Sequence, residues 1–184
     1  MKRTLAAATA VIVFQLGLSA KAADWPQFRG PSRDGSTAES ILTSWPKEGP
    51  KVLWKIPLGE SFGSFVVRDG KAYCFMERDQ MEACVAFDAK TGKELWATPI
   101  DKTIFEHQGG NGPRSTPTVD GQHVYLSGTY LKLACLEAAD GKVVWQRDLV
   151  KDFNGQINTP QSNESMEHPC SRILPSENLV ANVY

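Results

Sequence analysis

Metal-ligand spacing is missing from this chain: there is no CxxC pair, no Cys/His cluster, and histidine occurs only three times in 184 residues. A structural zinc site needs closely spaced thiolate and imidazole donors, so no metal centre is expected. Blocks of like charge are missing as well. With net charge −1 and no lysine- or arginine-rich run, the chain lacks the electrostatic footprint of a nucleic-acid binder. No Ser/His/Asp or Cys/His constellation can be read from spacing, and no catalytic residue is assigned. Long apolar runs are absent after the first residues, which removes any later transmembrane segment.

The first residues are a separate case. MKRTLAAATAVIVFQLGLSAKA opens with Lys2 and Arg3, runs apolar from Leu5 to Leu18 and ends in Ala20-Lys21-Ala22. A basic start, a short apolar stretch and a small-x-small site are the parts of a secretory leader, with cleavage expected after Ala22. The apolar stretch falls short of the roughly 20 residues that a membrane-spanning helix requires. Removing Lys2, Arg3 and Lys21 takes the net charge from −1 to −4. A periplasmic or extracellular location follows, in which disulfides persist. The four cysteines, Cys74, Cys84, Cys135 and Cys170, allow three pairings. Cys74 and Cys84 flank MERDQME symmetrically and would face one another across a hairpin; the alternative is that they are small buried hydrophobes.

What the chain does contain is a repeat. AFDAKTGKELW at 86–96 returns as CLEAADGKVVW at 135–145. Upstream, Ser64 to Tyr73 lies over Ser115 to Val124, with Tyr125 one position late relative to Tyr73. Self-similarity at a period in the forties marks units that cannot bury their own faces and must stack on neighbours. Within the first unit, FGSFVV, KAYCFM, ACVAFD and KELWATPI are short segments rich in β-branched, aromatic and other apolar residues. Asp69-Gly70, Asp120-Gly121, Thr91-Gly92 and Asp140-Gly141 supply the turns between strands, and MERDQME reads as a solvated hairpin tip. A helix over 83–96 is disfavoured by Gly92 and Pro99. Four strands per unit is the composition of a propeller blade, so the expected fold is all-β, a partial β-propeller.

Ala86-x-Asp88-x-x-Thr91-Gly92-x-x-x-Trp96 resembles, position for position, the tryptophan-docking motif of the PQQ-type (quinoprotein-like) β-propeller family. The resemblance implies that each Trp packs against the Gly peptide of a neighbouring blade and that the small first position leaves room for the ring. In the second copy Cys135, Glu137 and Asp140 replace Ala, Asp and Thr, so only Gly141 and Trp145 carry over. DWPQFRGPSRDG resembles the opening of a secreted bacterial group within that family. Residues 23–50 are then a non-regular lead-in whose Trp25, Phe28 and Trp45 are expected to be docked. Trp54 ends a segment like an outer strand, and the resemblance implies that residues 51–57 are a closing strand awaiting partners. Blade one is placed at about 62–100 and blade two at about 114–149, within a partial propeller of 51–157. After Ile157 the composition turns to Asn, Ser, Pro and Glu, and 158–184 reads as the disordered tail of a truncated or frame-shifted product.

The polar segment DKTIFEHQGGNGPRSTP, 101–117, joins the two units and would reach the mouth of a propeller, where long loops carry function. Glu106, His107, Asn111 and Arg114 are its ligand-capable members, though a lone His is more often solvated. Gly109 to Gly112 reads as a turn rather than an anion cradle, since no strand-GxxxxGK-helix context surrounds it. The family's dehydrogenases, as the resemblance implies, hold PQQ with Ca²⁺ on the axis, and many use two adjacent cysteines; here the nearest two are ten positions apart. The expectation is therefore a non-catalytic binding or scaffold module with no cofactor and an envelope protein as partner. Self-association through open blade edges is a further expectation, and a PQQ-dependent dehydrogenase fragment is the alternative. Carbohydrate or peptide capture at the mouth loop is a third, more distant reading.

Overall fold

The computed structural model describes residues 23–40, 42–105 and 110–154. The leader, the tail, Cys170, Glu106 and His107 lie outside them. Eight strands form two four-stranded antiparallel sheets, each in sequential order. The first holds β1 (Val66–Arg68), β2 (Lys71–Arg78), β3 (Met81–Asp88) and β4 (Glu94–Lys102). The second holds β5 (Thr118–Asp120), β6 (His123–Ser127), β7 (Lys132–Glu137) and β8 (Val143–Asp148), followed by a short helix α1 (Leu149–Phe153). The expected fold class is met: two up-and-down sheets face each other as blades of a partial propeller do.

Turn chemistry sets the registers. Asp69 and Gly70 both have positive φ, 50° and 75°, between the pair Arg68 and Lys71. That is the mirror-image turn whose twist matches the flanking strands. The second hairpin corrects the sequence alignment. Asp120 is still in the strand, paired with His123, and the turn is Gly121-Gln122 with positive φ at Gly121. Tyr125 then faces Thr118 as Tyr73 faces Val66, and the one-residue offset disappears. MERDQME is a hairpin tip as expected, with Asp79 and Gln80 at φ 53° and 64° and no glycine. Gln80 N–H donates to Glu77 Oε1 at 2.8 Å, offsetting part of the left-handed cost.

The larger core lies between the sheets. Val66, Tyr73, Phe75, Cys84, Ala86, Trp96 and Ile100 of the first sheet meet Val119, Val124, Leu126, Ala134 and Leu136 of the second. A smaller cluster on the other face of the first sheet contains Cys74, Met76, Ala83, Val85 and Phe87, with Ile56 and Phe65 against it. Strand alternation explains the division and removes the proposed disulfide. Cys74 pairs with Val85 and Cys84 with Phe75, one step out of register, so the two sulfurs point to opposite faces. Cys74, Cys84 and Cys135 are all free and buried.

One expectation for the lead-in needs correction. Phe28 and Trp45 are exposed at 43% and 56% rather than docked, and only Trp25 is half-buried. Residues 51–57, expected to await partners, form no strand ladder among the described residues, and Ile56 covers the first sheet's smaller cluster.

Candidate functional site

The repeated motif forms a tight turn at the end of β3 and again at the end of β7. In the first, Asp88 carboxylate accepts from Thr91 N–H at 2.8 Å, Thr91 O–H at 2.7 Å and Lys90 N–H at 3.1 Å. These bonds favour the ionised form, so the Asp88 carboxyl is held below its ordinary range. Gly92 N–H donates to Asp88 C=O and Asp88 N–H to Lys93 C=O, both at 2.8 Å. In the second copy Gly141 N–H donates to Glu137 C=O and Glu137 N–H to Lys142 C=O, at 2.9 and 2.8 Å. Asp140 carboxylate accepts from Lys142 N–H at 3.0 Å there. Different side chains thus hold the same backbone path.

Both turns end in a glycine at positive φ, 71° at Gly92 and 75° at Gly141. Positive φ is one reason for glycine, and a close approach is the other. A Cβ on Gly141 would lie 2.4 Å from Trp96 Cε3, and one on Gly92 would lie 2.7 Å from Trp54 Cδ2. Trp96 indole N–H donates to Ala138 C=O at 3.3 Å, and Trp54 N–H to Ala89 C=O at 2.9 Å. Trp54 therefore stands to the first sheet as Trp96 of the first sheet stands to the second. Ala86 is directly opposite Trp96, and Cys135 opposite Trp145. Beyond each pair the register shifts, leaving Leu95 and Val144 without an opposed residue, a bulge that turns the outer strand. Trp145, on the face of the second sheet away from the core, is half-buried with its ring 6.4 Å from Tyr125.

Polar groups reinforce the seam at points the sequence did not disclose. Thr98 O–H donates to Gly141 C=O at 2.7 Å. Ala138 C=O also accepts from Lys71 Nζ at 3.0 Å and Tyr73 O–H at 3.3 Å. Burial pushes Tyr73 up to about 12, so it stays protonated at neutral pH and keeps the proton it donates. Glu82 is fully buried at the other end of the seam and accepts from Thr129 N–H at 2.9 Å and from Thr129 O–H. Burial raises its carboxyl above the ordinary range, Asp101 adds to that, and the Thr129 bonds and Arg114 oppose it. Asp101 is itself paired with Lys132 at 3.3 Å. The reading of MERDQME as a solvated tip needs correction at its last residue: Glu82 points inward from β3 and is buried, and neither its burial nor its partner on the loop between β6 and β7 was read from the sequence.

The joining loop packs against the segment before β1. Phe62 N–H donates to Pro113 C=O at 3.0 Å, and Gly112 lies so near Glu60 C=O that a Cβ would come within 2.2 Å. Arg114 stacks its guanidinium 4.0 Å over the Phe62 ring and donates from Nη2 to Gly110 C=O at 2.7 Å. Of the four ligand-capable residues, Arg114 thus braces the loop, Asn111 is half-buried beside it, and Glu106 and His107 lie outside the described residues. No group of three His, Cys, Asp or Glu side chains gathers as metal ligands among the described residues.

Two facing four-stranded sheets joined by the seating of Trp96 on Gly141 define a protein of the β-propeller class. The family model described as outer membrane protein assembly factor BamB matches residues 36–149 and, in a second overlapping register, 80–168; the chain belongs to this PQQ-like repeat family, PQQ_2. A similar curated protein is the outer membrane protein assembly factor BamB of Yersinia pestis, 29% identical over 102 residues, covering 53% of this chain and 26% of that protein. The chain thus spans about a quarter of that relative's length. Among solved structures, the quinohemoprotein alcohol dehydrogenase of Comamonas testosteroni matches with TM-score 0.38 and 20% identity, over 52% of this chain and 14% of that one. BamB of Moraxella catarrhalis matches with TM-score 0.30 and 17% identity, over 50% and 22%.

Proposed function

We propose that this chain is an exported, non-catalytic scaffold module of the cell envelope, whose sheets present surface to another envelope protein. Its Trp-on-Gly contacts are structural fasteners in this reading, carried by Trp54, Ala86, Asp88, Thr91, Gly92, Trp96, Gly141 and Trp145. The observation that supports it is the use made of buried and half-buried polar side chains at the seam. Thr98, Lys71, Tyr73 and Trp96 spend their donors on backbone carbonyls of the facing sheet, and Glu82 spends its carboxylate on Thr129. Groups committed to such bonds are positioned for rigidity rather than for turnover. Membership in a family described by an assembly factor agrees with this use.

This reading assigns none of the described residues to PQQ or its cation. The free inner edges of both sheets are taken by the chain's own lead-in, which bonds to Val67 and Val119. Cys74 and Cys84 sit on opposite faces of the β2–β3 ladder, buried, with Cys74 pushed up to about 11 and Cys84 also raised well above the ordinary thiol range. Calorimetric titration of the full chain with PQQ and Ca²⁺ tests the reading. No saturable uptake is expected; stoichiometric tight binding, or dye-linked alcohol oxidation, would overturn it.

A further inference from the structure

The lead-in does more than precede the sheets. β1 is paired with β2 on one side only, and its other edge faces Trp25 in an isolated antiparallel bridge. Trp25 N–H donates to Val67 C=O at 2.8 Å, and Val67 N–H returns a bond to Trp25 C=O at 2.9 Å. The next residue reaches the second sheet: Pro26 C=O accepts from Val119 N–H in β5 at 2.8 Å. Asp24 closes the other end, accepting from Asp69 N–H at 3.1 Å with Arg68 Nε 3.8 Å away. Three consecutive residues therefore occupy the innermost edges of two different sheets.

Unpaired strand edges accept extended peptides, because main-chain bonds supply affinity whatever the sequence. A Trp-Pro pair suits this edge in a particular way. The Trp offers both of its backbone groups to Val67, and Pro, which has no N–H, still offers its carbonyl to Val119. The indole is seated on Gly30, where a Cβ would lie 2.7 Å from the ring, at φ 76°. Outside these points the strap is lightly held: Phe28 and Arg29 are exposed, and Ala23 N–H meets the exposed carboxylate of Glu39.

We infer that Asp24–Pro26 is a built-in occupant of a peptide-binding edge, a strap docked in cis where an extended Asp-Trp-Pro-like segment of another chain would otherwise add to β1 and β5. This rests on the hydrogen bonds alone and is independent of the envelope reading. The test uses the full chain and two variants, Trp25→Pro, which removes the donor to Val67, and Gly30→Ala, which unseats the indole. The probe is a fluorescent peptide of residues 23–34. A strap tethered to β1 through residues 27–65 competes intramolecularly, so both variants should bind the peptide about tenfold or more tightly than wild type. A probe carrying Trp25→Pro should not bind. Amide exchange is read in parallel: Val67 and Val119 should exchange faster in both variants while the β2–β3 ladder stays protected. Equal peptide binding by all three chains, no binding by either variant, unchanged exchange at Val67 and Val119, or collapse of the β2–β3 ladder would each overturn the inference.

Discussion

The indole of Trp96 lies on Gly141 of the facing sheet, with Cε3 only 2.4 Å from where a Cβ would stand. Trp96 is almost fully buried, whereas Trp145, at the same place in its own sheet, is half-buried. Truncating a buried Trp to Ala costs about 3–5 kcal/mol, so Trp96→Ala should unfold at far lower urea than wild type. Trp145→Ala should cost roughly 1 kcal/mol. Gly141→Ala should approach the Trp96 effect, since the left-handed backbone alone costs an L-residue about 1–2 kcal/mol and the ring must also move. Equal urea midpoints for the Trp96 and Trp145 variants would show that the seam is not where the stability resides.

A milder probe of the same seam is Thr98→Val, which keeps shape and removes the hydroxyl that reaches Gly141 C=O. The carbonyl is left without that donor, and a loss of about 1 kcal/mol is expected. Combined with Trp96→Ala the two losses should not add, because both side chains bear on one turn. Additive urea midpoints would argue that the turn is held from elsewhere.

The cysteines give a chemical readout. Cys74 is pushed up to about 11 by burial and Cys84 is also raised well above the ordinary thiol range by burial, so neither is a thiolate at neutral pH. Cys74, Cys84 and Cys135 should react with Ellman's reagent slowly in the native chain and rapidly in denaturant. Peptide mapping without reductant should find no Cys74–Cys84 crosslink. Rapid native labelling of Cys84 would contradict its place in the larger core.

Strand segments and turns were legible because apolar runs and Gly-containing turns are local signals. The second hairpin was misread by one residue for a local reason too: Gly serves at either central position of a two-residue turn, and only the pairing of Asp120 with His123 fixes which. The Trp-on-Gly contacts could be read from the motif's resemblance, down to Trp54. The Glu82–Thr129 bond, the Trp25–Val67 bridge and the bracing of Phe62 by Arg114 could not be. Each joins residues far apart in sequence whose types are unremarkable alone, so only the assembled sheets bring them together. The exposure of Phe28 and Trp45 has the same lesson: an aromatic reads as docked only where a partner surface exists.

Processing of the leader makes a prediction at Ala23. Cleavage after Ala22 would create an ammonium where the Ala23 backbone N–H now meets the Glu39 carboxylate. Expression of the full sequence in a bacterial host should yield an envelope-fraction product whose intact mass begins at Ala23. A product retaining Met1 in the cytosol would remove the export reading. Glu39→Gln should leave processing unchanged, because the ammonium that would pair with Glu39 exists only after cleavage and an exposed ion pair contributes little.

Glu82 ties stability to pH. Its carboxyl, buried between the sheets, holds its proton to higher pH than an unfolded glutamate does. Asp101 across β3 and β4 raises it further, while Arg114 and the Thr129 donors pull it down without cancelling burial. The native state thus binds the extra proton, and its contribution is fully present below the unfolded pKa and lost as pH rises through the native one. Glu82→Gln removes the titration while keeping a carbonyl oxygen for Thr129 N–H. Urea midpoints of both chains between about pH 4 and 8 should therefore diverge as pH rises, with the variant gaining on wild type. A stability difference that stays constant over that range would mean that Glu82 titrates alike in the native and unfolded chains, its bonds to Thr129 and Arg114 balancing the cost of burial.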